Sequence, residues 1–511
     1  MDHGINVLLI YPDFLEKTRK VRNIPGNYNE GLASLSAVLK EGGHRTCLYH
    51  QTYMPDKQEF INTVKDHDPD IIGISIRTSA LSYSTEMAEW LEDEFPDIFV
   101  IAGMYHASLA PNDVIEIPGI DAICIGEGEY VTLDFVDYFA SHGQLNLEAD
   151  SFWIKDLDGT VHRNPVKPFI TDLDKLPFPD LDLFDYCNLR SNLQQNTAEV
   201  ILGRGCVYSC TYCANAELRN LYPSKTDYTR FRSPENAIEL LERVLMKDPK
   251  IECFSFNDAI LNVYEDWFYA FAALYKERIG KRYVCNLRVE LINEKMVEVL
   301  AASGCYLITL GVECGNEEYR TKYLNRTMKN DHIVKVSHLL KNAGIIVNSY
   351  NLIGLPYETI KLSLETIKLN AQMYTDSIVL SFFTPYPGTR LRETAETAGF
   401  LDHGKSSADP VHLKMPEYPR SDIFYMRYSF LKLMRQYRKL YKAYTGEQLA
   451  RELEKLDSKI LGKRHPRRLI GAFRRRQHGV SVFTKRAVSR LLPGVYKLLR
   501  SLRDRNSAKN K

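Results

Sequence analysis

The sequence predicts an α/β protein made of two successive parallel-sheet units followed by a helical, strongly basic C-terminal region. Two stretches of alternating strand and helix signals, over 1–145 and 196–405, carry that prediction, because short apolar runs alternating with helical spacing build parallel sheets. A linker with one hairpin signal, 146–195, separates them. A helical extension over 406–460 and a basic amphipathic tail over 461–511 complete the chain.

In the first unit the predicted strands are 5–11, 45–50, 71–76, 98–103 and 122–126, with helices over 31–41, 57–66 and 83–94. Leu32, Leu35, Val38 and Leu39 set the helical spacing of the first helix, and Gly42-Gly43 stops it. The expected sheet is doubly wound, of flavodoxin or Rossmann type, and such sheets bind ligands at the carboxyl ends of their strands. In the linker, Asp158-Gly159 is a good hairpin turn, and Pro165, Pro168, Pro177 and Pro179 break regular structure. The second unit has predicted strands at 199–202, 253–257, 283–288, 307–313, 346–354 and 378–383. Its predicted helices cover 234–246, 293–302, 331–343 and 359–373.

At 511 residues, 44% hydrophobic and 26% charged, the chain has material for about three globular domains. No run approaches the roughly 18 apolar residues of a membrane span, and the N-terminus lacks a signal-peptide pattern. Ten cysteines without a paired pattern fit a reducing, cytoplasmic setting.

Three of those cysteines, Cys206, Cys210 and Cys213, stand at intervals of four and three residues behind Gly203 and Gly205. Glycine there lets the backbone approach closely. Three thiolates leave one iron of a cubane cluster without a protein ligand, and open metal positions point to catalysis. A zinc knuckle or incidental buried thiols are the alternatives. Zinc prefers four ligands in paired motifs, no histidine follows at a suitable distance, and Cys253, Cys285, Cys305 and Cys314 read as small core hydrophobes.

The CxxxCxxC spacing, with Tyr212 before the third cysteine, resembles the signature of the radical S-adenosylmethionine (radical SAM) enzymes. The resemblance implies a partial (β/α)6 barrel, a 4Fe-4S cluster on Cys206, Cys210 and Cys213, and S-adenosylmethionine on the open iron. An electron from the cluster then yields a 5′-deoxyadenosyl radical that abstracts hydrogen from unactivated carbon.

Later segments fit the same family in order. Gly311-Val312-Glu313-Cys314-Gly315 resembles a segment along S-adenosylmethionine, which implies that Glu313 contacts its ribose or methionine end. A surface glutamate at a strand end is the bland reading. Arg288 is read either as the holder of the methionine carboxylate or as an ion-pair partner of Glu290. Asn257-Asp258 stands where relatives often have paired aspartates facing the cluster, with the role of Asp258 open to substrate or cofactor. Gly354-Leu355-Pro356 resembles a GLPxET segment approaching adenosine, and Pro385-Tyr386-Pro387-Gly388-Thr389 matches a run closing the sixth strand.

The first unit looks like the cobalamin-binding domain preceding the barrel in a subgroup of this family, whose members include class B methyltransferases. The resemblance rests on Asp70-Ile71-Ile72-Gly73-Ile74-Ser75, on Ala102-Gly103-Met104-Tyr105-His106-Ala107, where relatives more often have two glycines, and on Gly126-Glu127-Gly128-Glu129. It implies a cobalamin side formed by Ser75, Thr78, Gly103, His106, Gly126 and Glu127. The DxHxxG motif that supplies a histidine to cobalt is absent, with Asp13-Phe14-Leu15-Glu16 roughly in its place. A flavodoxin-like scaffold that binds nothing is the alternative.

Residues 421–511 hold 25 Lys and Arg against 6 Asp and Glu, a charge of +19 that the rest of the chain balances with −18. Phe424, Tyr428, Leu431, Met434, Tyr437 and Tyr441 form a helical stripe expected to pack on the barrel. The tail beyond 461 reads as a basic amphipathic helix for an anionic membrane surface, in preference to nucleic acid or a solvated tail. That placement, peripheral on the inner face of the membrane, suggests a lipid-linked substrate beside the small-molecule alternative. An external electron donor is also implied. The leading function is cobalamin-dependent methyl transfer. Radical cyclisation or oxidation, RNA methylthiotransfer and a cluster-bearing scaffold are the other readings.

Overall fold

The computed structural model describes residues 4–13, 25–402 and 410–462. The tail from 463 onward and Phe14-Leu15-Glu16 lie outside the described residues. No described helix is long and apolar enough to cross a membrane.

The first unit holds β1 (Asn6–Pro12), β2 (Arg45–Gln51), β3 (Ile71–Ser75), β4 (Phe99–Gly103) and β5 (Ala122–Cys124), all parallel, in the order β2-β1-β3-β4-β5. β1 is buried along its whole length. Its side chains alternate between two cores, Leu8 and Ile10 toward one and Val7, Leu9 and Tyr11 toward the other, so the strand reads as an unbroken apolar run. The hairpin forms as β6 (Phe152–Lys155) and β7 (Val161–Arg163), with Asp158-Gly159 at its turn. It does more than connect: β6 pairs antiparallel with β5 and extends the sheet to seven strands, and Phe152 packs on Phe135 at a ring separation of 4.7 Å.

The second sheet contains β8 (Thr197–Val200), β11 (Cys253–Phe256), β12 (Arg282–Leu287), β13 (Cys305–Glu313), β14 (Ile346–Ile353) and β15 (Ser377–Phe382). It runs in strict chain order and is parallel throughout, a half-barrel. Between its first two strands, β9 (Gly203–Arg204) and β10 (Arg230–Phe231) form a small antiparallel pair. Phe254, Phe256, Ile308, Leu310 and Val347 are buried on the outer, helix-covered face. That outer face shares one core with Val7 and Leu9 of the first unit.

The C-terminal helix Arg420–Ala443 packs on Ile360–Gln372. Its buried face keeps Phe424, Met434 and Tyr437 of the expected stripe and leaves out Tyr428 and Leu431. Ile423, Phe424, Met426, Phe430, Leu433, Met434 and Tyr437 are buried, whereas Tyr428 and Leu431 are 40% and 46% exposed. The packed face differs because Ile423, Phe430 and Leu433 meet the barrel core where the predicted stripe put Tyr428 and Leu431.

Candidate functional site

The cysteine loop leaves β8 under tight backbone control. Ile201 N–H donates to Glu30 at 2.6 Å, and Leu202 and Gly203 N–H donate to the Asp258 carboxylate at 3.0 and 2.7 Å. Asp258 is thus turned into the backbone and buried, which corrects its expected position facing the cluster, and Asn257 beside it is the exposed member of the pair. Gly205 has φ +84°, and a side-chain carbon there would lie 2.2 Å from the carbonyl oxygen of Tyr228, so only glycine fits.

Three parts of the barrel clamp the loop itself. Arg219 donates to the carbonyl oxygens of Val207 at 2.8 Å and Cys206 at 3.3 Å and to Ser209 Oγ at 2.6 Å. Asn325 Nδ2 donates to Ser209 O at 2.9 Å, and Leu391 N–H donates to Thr211 O at 2.9 Å. Asn325 follows the helix Glu317–Leu324, which its weakly apolar sequence did not advertise.

All three cysteines are free. Cys210 is buried and the other two half-buried. Burial pushes the Cys213 thiol up to about 11 and the Cys206 thiol upward. Such thiols become thiolates only against positive charge, as a metal centre provides. Among the described residues no three His, Cys, Asp or Glu side chains converge on a single-ion site. A cubane takes its thiolates one per iron, so three thiols on one loop fit the three protein ligands of a cluster with one open iron.

Two guanidinium groups flank Cys210. Arg288 Nη1 lies 3.5 Å from its sulfur, with the guanidinium 3.8 Å over the Tyr208 ring and its remaining nitrogens on Glu290, Nε at 3.2 Å. Arg288 thus forms an ion pair with Glu290. Arg326, which no sequence motif singled out, lies 3.9 Å from the same sulfur, 3.2 Å from Tyr212 Oη and 3.9 Å from the Glu313 carboxylate.

Glu313 sits at a bulge where the β13–β14 register shifts, with φ +63°. A non-glycine residue there costs about 1–3 kcal/mol, which the surrounding structure must hold in place. Its carboxyl is buried and its pKa raised by burial, against the lowering effect of Arg326. Gly354 has φ +79° and donates its N–H to Glu358 at 2.6 Å. Pro385 is half-buried, and its carbonyl accepts from Arg392 at 3.4 Å.

On the first unit, Ser75 ends β3 and Gly103 ends β4, where a side chain on Gly103 would meet nothing within 4 Å. Met104, in place of a second glycine, still has φ +83°. Thr78 Oγ1 and His106 Nδ1 lie 3.0 Å apart. Burial lowers the pKa of His106 and keeps its ring neutral. Ser75 Oγ and His106 Nε2 are buried with no hydrogen-bond partner, each costing about 1–3 kcal/mol. Orphaned polar atoms at strand ends fit a cofactor rich in amide groups. Gly126 and Glu127 are taken up by the junction between the units: Tyr222 Oη lies where a Gly126 side chain would go, and Glu127 pairs with Arg230 and accepts from Ile170 N–H. The helix Met104–Leu109 packs on Ala214–Asn220, the helix that follows Cys213. The two candidate cofactor sides therefore share a wall.

The family model described as the radical SAM superfamily matches residues 200–369, and that of the B12 binding domain matches residues 27–136. The chain carries a radical SAM domain and a B12-binding domain. The chain is 25% identical over 456 residues to an anaerobic magnesium-protoporphyrin IX monomethyl ester cyclase of Rubrivivax gelatinosus, covering 85% of this chain and 79% of the cyclase. It is also 25% identical to a methyltransferase of Pyrococcus horikoshii, covering 76% of this chain and 83% of that one. In fold it is similar to TsrM from Kitasatospora setae, a radical S-adenosylmethionine methyltransferase solved with cobalamin and a [4Fe-4S] cluster, with TM-score 0.62, 17% identity and coverage of 83% and 82%. It is likewise similar to the cobalamin-dependent radical enzyme OxsB, with TM-score 0.64, 16% identity and coverage of 89% and 71%.

A radical SAM domain makes the chain an enzyme and implies a 4Fe-4S cluster and S-adenosylmethionine, and the B12-binding domain implies cobalamin. Cys206, Cys210 and Cys213 are placed to hold the first, and the strand ends around Ser75, Gly103 and His106 fit the last.

Proposed function

We propose that this protein is a cobalamin-dependent radical SAM methyltransferase acting on an unactivated carbon of a small polar substrate. The packing of Met104–Leu109 on Ala214–Asn220 carries the reading, because it joins the cobalamin-side turn to the cysteine loop. When bound, the cluster and cobalamin supply one-electron chemistry and a methyl carrier. The protein's own share is to hold, orient and exclude water. Arg219 and Asn325 fix the loop, Glu313 and Tyr212 present polar atoms beside it, and Tyr105, 53% exposed, projects from the first unit where the two sides meet.

A row of amide and hydroxyl side chains supports the substrate class. Asn286, Thr309, Asn348 and Ser377 are register partners across β12 to β15 on the inner face, and Asn348 bonds Thr309 Oγ1 at 3.2 Å and Ser377 Oγ at 2.9 Å. Such a surface exchanges hydrogen bonds with a polar molecule and gains nothing from a lipid chain. The electron comes from an external reductant.

Anaerobic protein loaded with iron, sulfide and cobalamin is expected to form both 5′-deoxyadenosine and S-adenosylhomocysteine with its substrate. 5′-Deoxyadenosine alone would favour radical cyclisation or oxidation, the reading that the cyclase relative supports. Neither product from a fully loaded protein would sink the proposal.

A further inference from the structure

We propose that Arg326 sets the reduction potential of the cluster held by the loop, by keeping its guanidinium charge against the sulfur of Cys210. The inference rests on the proposed function only in requiring that a cluster is bound.

Arg326 is 4% exposed and is held from several sides. Nη2 donates to Gly311 O at 2.6 Å and lies 3.5 Å from Met328 Sδ, while Nη1 reaches Tyr212 Oη at 3.2 Å and Cys210 Sγ at 3.9 Å. Its Nε is buried with no partner. These contacts lock the group in place and leave its charge weakly countered, since the nearest carboxylate, Glu313, is 3.9 Å away through one oxygen. Arg288, the other guanidinium on Cys210, is forked onto Glu290 and largely neutralised by it. Among the described residues, no side chain is bonded to the sulfur of Cys206 or Cys213. The site is therefore asymmetric, with guanidinium N–H groups directly on the sulfur of Cys210 and none on the sulfurs of Cys206 and Cys213.

Reduction adds one electron, from a titrant such as dithionite, to the cluster and its thiolates, and no bond forms or breaks. A fixed cation or N–H donor beside a thiolate stabilises the more negative, reduced form and raises the potential. Taking the cation away lowers it. Arg326 thus acts through Cys210 and is a positioning and tuning residue.

The test is a potentiometric titration, followed by EPR, of full-length anaerobically reconstituted protein without S-adenosylmethionine. At a fixed solution potential, Arg326→Met should lower the ratio of reduced to oxidised cluster about tenfold, equivalent to about 59 mV for a one-electron couple. Arg326→Lys, which keeps the charge, should recover most of that loss. An unchanged ratio in Arg326→Met with a full iron complement would overturn the assignment. If Arg326→Met does not fold, pulsed EPR of native protein labelled with 15N in its arginine side chains decides. Nitrogen coupling to the reduced cluster that persists in Arg288→Lys supports Arg326, and its absence overturns it. Protein that assembles no cluster overturns both readings, whereas protein that assembles one but yields no S-adenosylhomocysteine with substrate overturns only the methyltransferase reading.

Discussion

Asp258 and Gly203 are joined by a 2.7 Å hydrogen bond from a backbone N–H into a buried carboxylate, three residues ahead of Cys206. Burial pushes the Asp258 carboxyl up to about 7, and Glu30, which holds Ile201 in the same way, up to about 8. A carboxyl whose pKa rises on folding favours the folded state while protonated. That contribution is complete below about pH 4 and is lost as the pH climbs toward 7 for Asp258. Asp258→Asn keeps an acceptor and removes the titration. Its melting temperature relative to the parent should therefore rise between pH 5 and pH 7.5, with a limiting slope of about 1.4 kcal/mol per pH unit. A difference independent of pH would refute the account.

Gly205→Ala should impair loading of the loop. The added carbon meets the carbonyl oxygen of Tyr228 at 2.2 Å in a backbone conformation that L-residues avoid, so the strand must shift just before the first ligand. Iron per chain should fall severalfold after reconstitution, while the far-ultraviolet circular dichroism stays that of the parent. Full iron content in the variant would contradict the argument.

Met104→Gly should stabilise the protein. Methionine at φ +83° carries a backbone penalty of about 1–2 kcal/mol that glycine escapes, partly offset by the entropy glycine loses on folding. Thermal unfolding should rise by the equivalent of about 1 kcal/mol. A fall would mean that the methionine side chain makes contacts worth more than the strain.

His106→Ala should weaken cobalamin retention without touching the cluster. The imidazole is buried, neutral and bonded on one side only, by Thr78. Removal of its unpartnered nitrogen should release bound corrinoid several times more readily in gel filtration, read by visible absorption, with iron content unchanged. Equal retention by both proteins would remove His106 from the cofactor side.

The strand and helix order of both units was legible because buried parallel strands are unbroken apolar runs, as in β1, and their helices carry regular spacing. The glycines and cysteines of the loop were legible because each position admits one residue type. Arg326 was not. It follows a short polar helix, no acidic residue beside it in sequence hints at burial, and its partners come from segments as much as 116 residues away. Asp258 was misplaced for a related reason: its neighbours suggested an outward carboxylate, while the backbone N–H groups of Leu202 and Gly203, just past β8, needed an acceptor. Arg288 could be read two ways, and Glu290, two residues on, captured it. The stripe on Arg420–Ala443 held at Phe424, Met434 and Tyr437 and failed at Tyr428 and Leu431, since helical spacing alone does not fix how wide a face meets the barrel.

The clamp on the cysteine loop has a consequence for how the enzyme is made. Ser209 and Thr211 are held by Asn325 and Leu391, so a ribosome finishes all three cysteines more than a hundred residues before it supplies what closes over them. A chain cut after the helix Ala214–Asn220 keeps the whole signature and the bonds of Arg219 but lacks those of Asn325 and Leu391. The signature is thus local in sequence, while the frame that holds its middle residues belongs to the second half of the barrel.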